Sequence, residues 1–115
     1  MIPTLKPSAP LSQVVFIHDY VQLVFDEESF TIYNVAAMDC QGALIRQGQV
    51  GFCDALVALI AQQVTLVSSS NVYALALTFE RGARLLVLAG DVGARGPEAF
   101  QFNGRNNLIV VEQNA

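Results

Sequence analysis

The stretch Gln62–Leu88, QQVTLVSSSNVYALALTFERGARLLVL, limits the possible folds more than any other part of the chain. Over Val72–Phe79 the bulky Tyr73, Leu75, Leu77 and Phe79 take the odd positions, and Ala74, Ala76 and Thr78 the even ones. Side chains of a strand point alternately to opposite faces, so this spacing predicts one bulky apolar face and one thin face. Glu80-Arg81-Gly82 supplies a polar turn with a glycine free to take positive φ, and Arg84–Leu88 returns as a partner strand. Ser68–Asn71 is a second turn, joining Val64–Val67 to the same central strand. The meander therefore has three strands, and LLVL, apolar on both faces, predicts cover on both sides.

Upstream, Val14–Phe16 opens a strand, and Val21, Leu23 and Phe25 alternate with Gln22, Val24 and Asp26. Glu27-Glu28 turns the chain into Phe30 and Ile32, giving a second hairpin whose turn lacks glycine. LVFDEESFTIY resembles LTFERGARLLVL, each reading Leu-x-Phe-acid, turn, apolar strand, and a shared hairpin solution accounts for the likeness without duplication. Ala43-Leu44-Ile45 reads as a short strand. From Phe52 the period changes: Phe52, Leu56, Leu59 and Ile60 follow helical spacing, with Asp54 placed to cap or complement the helix dipole and an end near Gln62. Asn103-Gly104 is a turn, and Leu108–Val111 a last strand. Residues 1–12, with three prolines, read as a flexible arm before a single domain over 13–115. The expected class is α+β: one curved antiparallel sheet of about six strands with a single helix on one face.

At 115 residues the chain buries roughly two-thirds of its extended surface. Only 14% of residues are charged, against about a quarter in an ordinary soluble domain. That pattern predicts a thick core, a hydrophobic partner surface or self-association. A net charge of −4 argues against nucleic-acid binding, which calls for a basic stripe, and leaves a basic protein partner open, because complementary charge steers association. No apolar run reaches signal-peptide or membrane-span length, so the expected address is cytoplasmic. Cys40 and Cys53 match neither a disulfide framework nor a zinc spacing and read as buried thiols. No cofactor or metal is expected.

Candidate chemistry is sparse. His18-Asp19 is the only histidine–carboxylate neighbour pair, and adjacent strand residues point apart, which argues against a catalytic dyad. Asp26, Glu27 and Glu28 form an acidic hairpin tip without calcium-loop spacing. The glycines of Gly90–Gly96 match neither a dinucleotide fingerprint nor a P-loop and serve backbone freedom in a long loop. That loop nevertheless carries Asp91, Arg95 and Glu98 in a charge-poor chain, and loops on rigid scaffolds carry function often.

HDYVQLVF, the LxxLI-type helix, the apolar meander and the tail GPEAFQF together resemble small uncharacterised bacterial α+β proteins, over about residues 15 to 111. Some of these are grouped with immunity proteins of polymorphic toxin or contact-dependent inhibition systems. The resemblance implies stoichiometric binding and blocking of a toxin domain rather than catalysis, and it maps no binding residue onto this chain. The partner-binding candidates, Asp26, Glu27, Glu28, Asp91, Arg95 and Glu98, come from the residues themselves. Two alternatives stand beside this expectation: a homodimeric structural or small-ligand-binding module, and an enzyme using His18 or the Gly90–Gly96 loop.

Overall fold

The computed structural model describes residues 5–114. Among them are ten strands: β1 (Gln13–Ile17), β2 (Tyr20–Phe25), β3 (Glu28–Ile32), β4 (Ala36–Cys40), β5 (Ala43–Arg46), β6 (Val64–Ser68), β7 (Tyr73–Phe79), β8 (Arg84–Leu88), β9 (Glu98–Asn103) and β10 (Ile109–Gln113). One short helix, α1 (Phe52–Val57), lies between β5 and β6. The strands form two five-stranded antiparallel sheets, ordered β1-β2-β3-β9-β10 and β5-β4-β8-β7-β6. The expected single sheet of about six strands is corrected here: the chain changes sheet at Tyr33–Val35 and again between β8 and β9.

Both hairpins read from the sequence are present, Phe25 facing Glu28 across one turn and Thr78 facing Arg84 across the other. Gly82 takes φ 99° at the second turn. In the first, Asp26 holds φ 60° where glycine is missing. Alternation sets the inward faces. Val21, Leu23, Phe25, Phe30 and Ile32 from one sheet meet Met38, Leu77, Phe79, Leu85 and Val87 from the other in one core. Phe25 reaches across to Phe79 with ring centroids 6.4 Å apart, while Phe30 lies 4.9 Å from Phe102. Six of the seven phenylalanines are buried, each stabilising the fold by roughly 2–3 kcal/mol; Phe16 alone is exposed. The prediction of two-sided cover for LLVL holds, since Leu85, Leu86, Val87 and Leu88 are all buried. Leu86 pairs on the opposite face with Ala37 and Ala76, both also buried.

The helix stops sooner than its apolar spacing suggests. After Val57 the N–H groups of Leu59 and Ile60 donate to the carbonyls of Leu56 and Val57, so the chain tightens into i→i−3 turns, and Ala61 takes φ 77°. Gly51, at φ 95°, occupies the cap, and Asp54 makes no side-chain cap bond. Leu56 and Leu59 still reach the core. The thiols differ from expectation: Cys40 is half-buried and Cys53 exposed, because Cys53 lies on the helix side away from Phe52 and Leu56.

The expectation of a flexible arm over residues 1–12 is corrected from Leu5 onward; residues 1–4 lie outside the described residues. Leu5 and Leu11 are each 1% exposed and belong to the core. The Leu11 and Ala61 backbones tie this segment to the end of the helical turns, Leu11 N–H donating to Gln62 and Leu11 accepting from Ala61 N–H. Glu28 is the second tie. It is buried, accepts the Ser8 N–H and the Ser8 hydroxyl at 3.0 Å each, and has Arg105 Nε at 3.8 Å. Glu28→Ala should cost about 2 kcal/mol, since it removes a charged acceptor from two part-buried hydrogen bonds. Urea denaturation gives the loss, and faster hydrogen exchange at Ser8 assigns it to this tie.

Candidate partner-binding surface

Three connections gather at one end of the two sheets: the β1–β2 turn His18-Asp19, the β8–β9 loop Ala89–Pro97, and the end of β10. The β8–β9 loop is fastened there by its own backbone. Gly93 and Ala94 N–H donate to the Gly90 carbonyl, and Gly90 takes φ 68°. Gly93 accepts the Val35 N–H and lies hard against the Leu88 backbone; a Cβ at this position would collide with the Leu88 carbonyl and stand 2.7 Å from Leu88 Cβ. Beneath the loop, Asn34 and Asn114 exchange amide hydrogen bonds of 2.8 and 2.9 Å. Asn34 Nδ2 also donates to Leu88 O, and Asn114 Nδ2 to Gly96 O at 2.7 Å, while Asn114 N–H donates to Pro97 O. Asn34 is 1% exposed and fully satisfied. The amide pair turns a glycine-rich loop into a fixed wall.

Two hollows flank that wall. One, of about 550 Å³, is lined by the β6–β7 turn (Ser69, Ser70, Asn71), by Ala74, by Gly90 and Asp91, and by Glu112–Asn114. The other, of about 260 Å³, is lined by Asp19, Tyr33, Arg95, Gly96, Pro97 and Glu98. Between them they hold four carboxylates against one guanidinium. Tyr33 leans on Tyr20, ring centroids 5.6 Å apart. Burial pushes its phenol up from the usual value, and the neighbouring Glu98 carboxylate and Tyr20 push the same way. Tyr33 therefore keeps its proton well into the alkaline range and offers a neutral donor beside two carboxylates. An ammonium or guanidinium group entering here meets opposite charge and hydrogen-bond partners together.

The six sequence candidates do not form one surface. Asp91 faces the larger hollow, and Arg95 and Glu98 the smaller. Asp26, Glu27 and Glu28 sit at the far end of β3, about 17 Å from Tyr33 at about 3.4 Å per residue. Glu28 is occupied by Ser8, and Glu27 makes an exposed 3.2 Å pair with Arg105, of a kind worth little. Sequence reasoning missed Asp19 and Glu112 as neighbours of the loop, and Asn34 and Asn114 as its fasteners. Nothing in local spacing marks them, because the sheet register brings them together from 80 residues apart.

His18 lines neither hollow, and the Arg84–Asp39 pair lies elsewhere. His18 Nε2 is 3.6 Å from Asp19 Oδ1, with the histidine side chain 95% exposed, so it has no pocket in which to orient a substrate. Arg84 donates from Nε and Nη2 to Asp39 Oδ2 at 3.1 and 2.7 Å on the outer face of the second sheet. These bonds, with one from Gly42 N–H, hold the Asp39 carboxyl below its usual range; the group ties β4 to β8. Among the described residues no cluster of His, Cys, Asp and Glu converges as metal ligands, and no helix is long and apolar enough to cross a membrane. Compared with models of protein families, with curated proteins and with solved structures, the chain matches none.

Proposed function

We propose that this chain is a non-catalytic binding protein that engages a basic protein partner through the fastened β8–β9 loop and its two hollows. The observation that carries the reading is the convergence of Asp19, Asp91, Glu98 and Glu112 on the fastened loop, beside hollows of about 550 and 260 Å³. A preformed acidic site raises the encounter rate with a basic surface and loses little ordering entropy on binding. The resemblance to immunity proteins supports the same direction and adds a partner class: the basic domain of a toxin that the chain blocks by stoichiometric binding.

The test compares capture from native cell extract by tagged wild type and by the Asp91→Lys/Glu98→Lys variant. Wild type should retain a basic protein at 1:1 stoichiometry, released as salt rises toward about 1 M, where the Debye length falls to about 3 Å. The variant should lose at least about tenfold in affinity, because two attractions become repulsions. Equal capture by both proteins, or an acidic captured partner, contradicts the reading.

A further inference from the structure

Four strands lie at sheet edges, and three of them carry a feature that blunts edge-to-edge pairing. β5 is four residues long and ends in Arg46. β6 has a register shift between Val64 and Leu66, with the Thr65 hydroxyl turned back onto Thr78 O. β10 has a charged Glu112 and a register shift beside it. β1, QVVFI, has none of these: no charge, glycine or proline, and an unbroken register with β2 from Gln13↔Val24 to Ile17↔Tyr20. Among the described residues nothing forms a backbone hydrogen bond to its outer edge. It also carries Phe16, the one phenylalanine outside the core, at 46% exposure, and Ile17 at 40%.

We propose that β1 is the seam of a two-fold homodimer, pairing antiparallel with β1 of a second copy about Val15. The two-residue turn closes on Ile17↔Tyr20, so Ile17, Val15 and Gln13 bond inward to β2, and the backbones of Val14 and Phe16 point outward. Around a two-fold axis at Val15, Val14 of one copy faces Phe16 of the other, and about four backbone hydrogen bonds form. Phe16 and Val14 then pack across the seam on the core side, and Val15 meets its own counterpart on the outer side. Charge favours this occupant. A chain of net −4 repels its own copies over most of its surface, and β1 offers a seam with no like charges opposed. The outer face of the joined sheet is also free of charge near the seam, where Gln13, Val15 and Ile17 neighbour Val24, Gln22 and Tyr20. The two-fold axis sends the two β8–β9 loops to opposite ends, leaving both open.

Light scattering coupled to size exclusion, at about 100 µM protein so that even a micromolar dimer forms, reads this directly. Wild type should run at twice the 12.4 kDa chain mass. Val15→Lys and Val15→Glu should each halve the mass, because like charges meet at the axis, and an equimolar mixture of the two should recover the dimer. Val15 faces outward on an edge, and circular dichroism confirms that each variant folds. A monomeric wild type overturns the proposal. So does a dimer that either substitution leaves intact, or a mixture that stays monomeric.

Discussion

Phe30→Ala should lower stability by about 4 kcal/mol, a large share of the margin of a domain whose total lies around 5–15 kcal/mol. Phe30 is fully buried at the middle of β3, the central strand of its sheet. Its ring centroid lies 6.3 Å from that of Phe25, 6.1 Å from Phe100 and 4.9 Å from Phe102. Phe25 in turn contacts Phe79 in the facing sheet. Truncation removes the apolar burial and leaves a cavity that the three neighbouring rings cannot close without leaving their rotamers. Phe30→Leu keeps most of the volume and should cost about 1.5 kcal/mol. Urea denaturation of both variants checks the pair. Equal losses would show that the site collapses freely and that the aromatic cluster is not the keystone between the sheets.

The second large effect belongs to Gly93→Ala, about 3 kcal/mol, for a different reason. Gly93 has no unusual φ; its need is space. The added methyl would run into the Leu88 backbone, which cannot step aside because Leu88 N–H is bonded to Val35 and Leu88 O to Asn34. The loop must lift instead, breaking the Val35–Gly93 bond and misplacing Asp91, Arg95 and Glu98. Gly96→Ala is the control, with open space where the methyl would go, and should stay within about 0.5 kcal/mol of wild type. Amide spectra should show shifts from Leu88 to Pro97 in Gly93→Ala and only local ones in Gly96→Ala. Partner capture should fall in the first.

These positions also show what the sequence could and could not reveal. Alternation from Val72 to Phe79 and the glycine at 82 set both the strand and its turn, because strand periodicity and positive φ are local properties. The division into two sheets is not local. Tyr33–Val35 leaves one sheet for the other through a buried asparagine whose partners are at Leu88 and Asn114, and no residue spacing announces that. Glu28 was legible in principle: it shares the parity of Phe30 and Ile32, so its side chain belongs to the inward face. Its burial follows from that parity once Ser8 and Arg105 arrive to satisfy it. The arm failed as an expectation for a similar reason, since prolines restrict a segment's backbone without preventing Leu5 and Leu11 from reaching the core. Apolar spacing overextends the helix because Leu59 and Ile60 continue it where the backbone has already tightened. Asp91, Arg95 and Glu98 were found by charge in a charge-poor chain, whereas Asp19 and Glu112 join them only through register.

In the function proposed above, a basic partner is met at the β8–β9 end and not at the Asp26–Glu27 tip. Hydrogen exchange of the chain, free and saturated with the protein it captures, measures this most directly. The account predicts slowed exchange over Ala89–Glu98, at Asp19 and Tyr20, and over Glu112–Asn114, with Asp26–Glu27 unchanged. Protection confined to the Asp26–Glu27 tip, or no protection at the loop, would contradict it.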